Sequence, residues 1–178
     1  MKIRSNGWRM VRRLVTYKDG FAFTLASGFG SGLFPVAAGT SGSIAALIVV
    51  ICLHGLPILP VLGFWVLLFI AGLWGIKHLD QRFQIRDPGF VVVDEWLGMA
   101  IAAIGIPPER PALYIVAFLA FRLFDVWKPG PIRSLDQLSK NQNASAWMRG
   151  FWVIADDLAA GLLALAVTQA AIHWTKIG

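Results

Sequence analysis

Two adjacent acidic residues near the start of an apolar segment are the groups in this sequence best suited to chemistry. Asp94 and Glu95 lie within residues 90–104, where most other side chains are apolar. Moving a carboxylate into hydrocarbon costs at least a few kcal/mol, so acids in such a place usually face a cavity, an opposite charge or a metal ion. The pair therefore indicates a cation-binding site.

Three other segments carry groups that could complete this site. Arg122, Asp125 and Lys128 follow one another at intervals of three residues near the end of an apolar stretch. That spacing places Arg122 and Asp125 on one face of a helix. A second acidic pair occupies residues 156–157, and a run of glycine and hydroxyl residues occupies 39–43.

The balance of charge among these segments favours a divalent metal ion. Five carboxylates face one arginine inside an apolar stretch and one lysine, and a hard cation such as Mg²⁺ would neutralise the excess. Structural ion pairs are the alternative. Gly98 and Gly161 each follow an acid by four residues, so the two helices could pack closely and join the acidic pairs. We predict Asp94, Glu95, Asp125, Asp156 and Asp157 as catalytic residues, and all of them except Asp125 as Mg²⁺ ligands.

The glycine-rich segment 28–43 is typical of a phosphate-binding backbone. At membrane depth, such backbone is tolerated only where protein buries it or where it lines a polar cavity. Hydroxyls at Thr40, Ser41 and Ser43 precede an apolar run and would cap a helix whose amino terminus faces an anion. Close packing of helices through small residues is the alternative. We predict that a substrate phosphate contacts Thr40, Ser43, Arg122, Lys128 and Arg133.

The composition indicates which elements position these groups. Hydrophobic residues make up 57% of the 178 residues, charged residues 15%, and the mean hydropathy is +0.65. This is typical of an integral membrane protein rather than a soluble domain. The net charge of +6 fits the positive-inside rule, so no nucleic-acid partner is expected. The single cysteine, Cys52, can form no intramolecular disulfide.

The apolar stretches predict an all-α, polytopic membrane helical bundle of about five spans, built as a single domain over residues 1–178. The N-terminal residues 1–18 are basic and predict an amphipathic helix on the membrane surface, within a basic interfacial arm over residues 1–24. A solvated basic arm is the alternative. The expected spans are 44–56, 59–76, 90–106, 111–127 and 151–174, with a re-entrant glycine-rich segment before them, a charged loop at 77–89 and a polar loop at 128–150.

The distribution of lysine and arginine predicts the orientation of this bundle. Thirteen of the sixteen basic residues fall in 1–18, 77–89 and 128–150, on one side of a five-span topology. That side is expected to be cytoplasmic. The four segments that carry the candidate site residues then lie at the cytoplasmic ends of the spans, at the level of a lipid phosphate.

The four segments resemble the phosphatidylglycerophosphatase A family over about residues 25 to 170. The resemblance implies an inner-membrane enzyme that requires magnesium and removes the terminal phosphate from phosphatidylglycerophosphate, giving phosphatidylglycerol. The distribution of basic residues is what predicts an active site on the cytoplasmic side. Two departures are Ala38, where the family usually has proline, and the absence of a Gly-Gly-x-Gly-Ile-Met run before Asp156. The resemblance rests on Gly28-Phe-Gly-Ser-Gly-Leu-Phe-Pro, Gly39-Thr-Ser-Gly-Ser, Asp87-Pro-Gly-Phe-Val-Val-Val-Asp-Glu-Trp-Leu-Gly-Met, Phe121-Arg-Leu-Phe-Asp-Val-Trp-Lys-Pro-Gly-Pro-Ile-Arg and Asp156-Asp-Leu-Ala-Ala-Gly.

Two other functions are alternatives to a phosphatase. A CDP-alcohol-type phosphatidyltransferase also uses intramembrane acids and magnesium, but its characteristic acid spacing on single helices does not occur here. A small cation transporter would place its acids near helix centres. For a phosphatase, both a water nucleophile and an aspartyl-phosphate intermediate are open. The expected partners are a phospholipid substrate and the membrane, with a homodimer kept as an alternative to a monomer.

Overall fold

The computed structural model describes residues 7–84, 88–141 and 143–177, and this part of the chain is helical with no β-strand. The prediction of an all-α fold is therefore confirmed. The glycine-rich segment contributes one turn of 3₁₀ helix, Ser31–Leu33. The helices are α1 (Gly7–Val11), α2 (Tyr17–Ala26), α3 (Ala38–Cys52), α4 (Ile58–Phe83), α5 (Val93–Ala102), α6 (Ala112–Trp127), α7 (Pro131–Ser139) and α8 (Ala146–Ile177).

The five predicted apolar stretches correspond to α3, α4, α5, α6 and α8, but their lengths differ widely. Two of the described helices are long and apolar enough to cross a membrane: α4, and α8 over Ala146–Trp174. In contrast, α5 has ten residues and is about 15 Å long, half the thickness of the hydrocarbon core.

Residues 77–83 of the charged loop expected at 77–89 are helical, because α4 continues to Phe83, and residues 85–87 lie outside the described residues. Its polar residues have partners on other elements. Nε2 of His78 lies 2.8 Å from Oδ1 of Asp19 on α2, and Nε of Arg149 on α8 donates to Asp80 at 3.0 Å. These contacts stabilise a helical extension that composition alone does not predict.

The polar loop expected at 128–150 contains α7 and the first turns of α8. The hydroxyl of Ser145 accepts a hydrogen bond from the backbone N–H of Met148 at 3.3 Å, and α8 begins immediately after Ser145. This is the contact of a helix N-cap. The fifth apolar helix therefore begins at Ala146 rather than near residue 151, and its acidic pair lies about three turns inside it.

The N-terminal arm forms two helices rather than the single amphipathic helix predicted over residues 1–18, of which 1–6 lie outside the described residues. Thr16 caps α2 in a reciprocal pair with Asp19. Met10 on α1 is buried, so the arm packs on the bundle. Its basic side chains at 9, 12, 13 and 18 are exposed, as an interfacial arm requires.

Helix α5 is the buried centre of the bundle and packs tightly against α8. A Cβ atom added at Gly161 would lie 2.4 Å from the carbonyl oxygen of Gly98, and one added at Gly98 would lie 2.6 Å from the carbonyl oxygen of Asp157. The two backbones therefore touch where the sequence places small residues. The predicted close approach of these helices is confirmed.

Part of the glycine-rich segment before α3 is covered by protein, since Gly28 and Gly32 are buried, whereas residues 34–37 are exposed. The indole Nε1 of Trp96 donates to the hydroxyl of Ser31 at 3.1 Å, and the backbone N–H of Val92 donates to the carbonyl of Ala26 at 2.9 Å. These bonds join the start of α5 to the segment between α2 and α3. The amino ends of α3 and α5 consequently face the same space.

Candidate active site

A cavity of about 360 Å³ opens at the amino ends of α3 and α5, beside the carboxyl end of α6. Two polar residues of α7 in its wall, Asp136 and Ser139, were not predicted as site residues. Gly7 and Trp8 of α1 form another part of the wall. The structure also places seven predicted site residues in the wall: Asp94, Glu95, Arg122, Asp125, Lys128, Asp156 and Asp157.

The first turn of α5 carries the first acidic pair into the cavity. Phe90, Val92 and Val93 are almost completely buried and fix the chain entering the helix. Asp94 and Glu95 occupy the first turn, where unpaired N–H groups and the helix dipole stabilise negative charge. An Oδ1 atom of Asp94 accepts a hydrogen bond from the backbone N–H of Glu95 at 3.1 Å.

Three carboxylates from α5 and α8 come together in the cavity. Asp94, Glu95 and Asp157 each offer an oxygen atom, and these oxygens lie within 4.8 Å of one another. The Oε2 atom of Glu95 is buried and has no hydrogen-bond partner among the described residues. Oxygens that share one Mg²⁺ at about 2.1 Å lie up to about 4.2 Å apart. The donor set and its spacing therefore fit a divalent cation after a small side-chain adjustment.

The fourth predicted metal ligand, Asp156, points to a different partner. Its Oδ2 atom lies 2.5 Å from Nζ of Lys128. Adjacent residues of a helix point about 100° apart, so the acidic pair of α8 divides. Asp157 joins the three-carboxylate group and Asp156 joins the lysine.

Lys128 is bound by two carboxylates rather than standing free at the end of α6. Besides Asp156, its Nζ atom contacts Oδ1 of Asp136 at 2.8 Å. Burial alone lowers the pKa of the Lys128 ammonium, but the hydrogen bonds to Asp136 and Asp156 outweigh it and raise the pKa above its usual value. The lysine is therefore charged at neutral pH.

Sequence reasoning missed Asp136, which lies in the segment predicted as a polar loop. Helix α7 begins at Pro131, and proline at a first helical position is a recognisable helix start. That signal would have placed Asp136 on a short helix after α6. Its carboxylate also contacts Lys140 one turn further on.

Arg122 is held by its neighbour on α6 and packs against the first turn of α3. Nη1 of Arg122 lies 2.5 Å from Oδ2 of Asp125, as the spacing of three predicts. A Cβ atom at Gly39 would lie 3.1 Å from the same Nη1 atom and 2.5 Å from Oε1 of Glu95. A side chain at residue 39 would therefore displace the ends of both charged side chains.

The hydroxyls predicted to cap α3 do not do so, and this prediction is wrong. The helix begins at Ala38, with Ala37 as an N-cap at φ 54° and no side-chain cap. The buried hydroxyl of Ser43 donates to the carbonyl of Gly39 at 2.8 Å instead. The cavity is lined at this point by Ala37, Ala38 and Gly39, so the free N–H groups of the first turn lie at its wall.

Three predicted phosphate contacts lie outside the residues that line the cavity: Thr40, Ser43 and Arg133. Arg133 is exposed on α7, and Thr40 is half-buried on α3. Among the residues that the structure describes, the cations in the wall are Arg122 and Lys128.

The profile of the phosphatidylglycerophosphatase A family matches residues 24–172. The chain belongs to the phosphatidylglycerophosphatase A family. The resemblance recognised in the sequence motifs is thereby confirmed. The match includes every wall segment of the cavity except α1.

Three relatives cover most of this chain. Phosphatidylglycerophosphatase A of Haemophilus influenzae is 36% identical over 151 residues, which are 84% of this chain and 88% of the relative. Phosphatidylglycerophosphatase A of Escherichia coli is 30% identical over 161 residues, 86% and 85% of the two chains. A protein of Bacteroides thetaiotaomicron, provisionally named a phosphatidylinositol-3-phosphatase, is 34% identical over 145 residues, 78% and 85% of the two chains. No solved structure matches the chain.

Proposed function

We propose that this member of the phosphatidylglycerophosphatase A family uses Mg²⁺ to hydrolyse phosphatidylglycerophosphate to phosphatidylglycerol and phosphate. The observation that carries the proposal is the group formed by Asp94, Glu95 and Asp157, in a cavity that Arg122 and Lys128 also line. Carboxylate oxygens suit magnesium, and paired cations suit a phosphate monoester. Family membership and the names of two relatives support the substrate.

The chain's own residues would bind and orient the phosphate. Asp94, Glu95 and Asp157 would hold Mg²⁺, which supplies an activated nucleophile and neutralises charge on the transferred phosphoryl group. The guanidinium of Arg122, fixed by Asp125, binds the equatorial phosphate oxygens. The free N–H groups in the first turn of α3 add neutral donors to the same anion.

We further propose that the five apolar helices form a bundle in the inner membrane, with the cavity on the cytoplasmic side. Exposed apolar residues support lipid contact by the shorter helices: Ile115, Leu119 and Leu123 form a stripe on α6 and are 61%, 59% and 58% exposed. Local thinning of the bilayer accommodates helices shorter than the usual span.

Cysteine labelling tests this orientation. In a Cys52→Ser background, a cysteine replacing Lys140 should react only from the cytoplasmic side, and one replacing Pro108 only from the other side. Reaction of both from one side would contradict the five-span topology.

The proposed reaction is tested by mass spectrometry of purified protein with phosphatidylglycerophosphate, with and without EDTA. Asp94→Asn and Asp157→Asn should each lower turnover by at least about a hundredfold, because each removes a metal ligand. Glu109→Gln, an exposed acid between α5 and α6, is the matched control and should retain activity. Hydrolysis that resists EDTA, or a folded Asp94→Asn variant with near-normal turnover, would contradict the magnesium site.

The same assay determines headgroup selectivity. Phosphatidylglycerophosphate should be hydrolysed faster than phosphatidylinositol 3-phosphate or phosphatidic acid. A preference for the inositol lipid would instead align the chain with the Bacteroides relative. Light scattering of the same sample distinguishes a monomer from a homodimer.

A further inference from the structure

A chain of alternating charges runs along one side of the cavity and joins three helices. Lys128, at the end of α6, bonds to Asp156 of α8 and to Asp136 of α7. Asp136 bonds in turn to Lys140, which follows α7. The order of charges is therefore negative, positive, negative, positive, with Lys128 between two carboxylates.

The position of Asp136 conflicts with phosphate binding at Lys128. An ammonium group has three N–H donors, and two carboxylates already engage it. Asp136 lines the cavity beside Lys128, so a phosphate dianion that approaches this lysine meets a carboxylate of the same sign. The one remaining donor would hold the phosphate next to that carboxylate, so release of one of the two carboxylates strengthens phosphate binding at Lys128.

The two carboxylates differ in what they would lose. The side chain of Asp156 is 7% exposed and lies within the long helix α8, and Lys128 is its bonded partner. Asp136 is 19% exposed and also bonds to Lys140, whose side chain is 50% exposed. Asp136 can therefore release Lys128 and remain neutralised, whereas release by Asp156 would strand a buried charge.

We propose that Asp136 is a positioning residue that directs the Lys128 ammonium into the cavity. When substrate binds, its phosphate replaces the Asp136 carboxylate at Lys128, and the released carboxylate stays paired with Lys140. Asp136 thus occupies the phosphate position when the site is empty. This inference rests on the proposed function, because it takes the cavity as the site of a phosphate monoester. It gives α7 a role in setting affinity for substrate and for product phosphate.

Removing the competing charge should strengthen phosphate binding. Asp136→Asn should lower the Kd of inorganic phosphate, measured by ³¹P NMR titration in detergent with Mg²⁺ present, by about tenfold. KM for the lipid substrate should fall while kcat does not rise, because tighter product phosphate slows release. A structural role alone would lower the melting temperature and leave this Kd and KM unchanged.

Lys140→Gln provides the opposite test on an exposed side chain. Without its second partner, Asp136 should hold Lys128 more tightly, so the Kd of phosphate should rise several-fold. In the Asp136→Asn background, Lys140→Gln should have little further effect, because the two residues act through one contact. Glu109→Gln removes the same charge at the other end of α6, about 24 Å along the helix, and should leave the Kd unchanged.

The inference is overturned if Asp136→Asn weakens phosphate binding or leaves it unchanged, or if Lys140→Gln and Asp136→Asn are additive. The NMR titration requires no turnover. Wild-type protein that binds inorganic phosphate with the predicted variant effects, but does not hydrolyse phosphatidylglycerophosphate, would refute the proposed function and leave the exchange at Lys128 standing.

Discussion

Replacing Gly161 by alanine tests whether the packing of α5 on α8 sets the spacing of the three carboxylates, Asp94, Glu95 and Asp157. A Cβ atom at Gly161 would lie 2.4 Å from the carbonyl oxygen of Gly98, whereas ordinary contact begins at 3.4 Å. The difference is 1.0 Å, and because the contacted atom is backbone, α5 and α8 have to separate by about this distance. No side-chain rotation can relieve the clash.

That separation should reach the proposed metal ligands directly. Asp94 and Glu95 lie on α5 one turn from Gly98, and Asp157 lies on α8 one turn from Gly161. Their oxygens are already up to 4.8 Å apart, so a further 1 Å takes them beyond the reach of one ion. A displacement of about 1 Å costs about a hundredfold in rate. Overpacking costs about 1–3 kcal/mol in stability.

The assay is the initial rate of phosphate release at several Mg²⁺ concentrations, with melting temperature measured in the same detergent. Gly161→Ala should lower the rate at saturating substrate about a hundredfold and raise the Mg²⁺ concentration needed for half-maximal rate. Gly63→Ala is the matched control, because a Cβ atom at this helical position meets nothing within 4 Å. It should retain activity and gain up to about 1 kcal/mol in stability. Equal rates and equal metal requirements for Gly161→Ala and Gly63→Ala would show that the packing of α5 on α8 does not set the geometry of the metal ligands.

Two further substitutions test ion pairs on either side of the bundle. Arg122→Ala should lower both the melting temperature and the rate of hydrolysis. The substitution leaves the carboxylate of Asp125 without its bonded arginine, at a cost of about 3 kcal/mol in stability. Thermal unfolding followed by circular dichroism measures the change in melting temperature. The hydrogen bond with His78 holds the pKa of Asp19 below its usual range, although burial raises it. Asp19 therefore stabilises the fold above about pH 4, and this contribution is lost as the pH falls towards its folded pKa. As the pH is lowered below 4, the melting temperature of the Asp19→Asn variant should fall less than that of the wild-type protein.

Each of these expectations has a clear contrary result. An Arg122→Ala variant that melts at the wild-type temperature would show that Asp125 does not depend on the arginine. If Asp19→Asn and the wild-type protein lose stability in parallel between pH 5 and pH 3, Asp19 does not contribute to the acid dependence.

The convergence of the site was predictable because its charges stand out against apolar sequence. Asp94, Glu95 and the pair Arg122–Asp125 were recognised in this way, and the structure brings them to one cavity. The positions of Gly98 and Gly161 likewise indicated where α5 and α8 touch. These features depend on spacing within a helix, which the sequence contains.

Features that depend on contacts between elements could not be predicted in the same way. The extension of α4 is stabilised by contacts from Asp19 and Arg149, which are remote in sequence. The division of the acidic pair of α8 depends on the rotation of that helix, which spacing does not specify. Pro131 could have indicated the nine-residue helix that carries Asp136, but the contact of Asp136 with Lys128 depends on how α7 packs beside α6.

The contact of α1 with the cavity has a practical consequence for protein production. Gly7 and Trp8 form part of the wall, so a purification tag joined to the amino end of the chain would be tethered within a few residues of the cavity. The carboxyl end of α8 lies about 30 Å along the helix from Asp157. A tag at that end leaves the cavity unobstructed, and activities measured with tags at the two ends should not be compared directly.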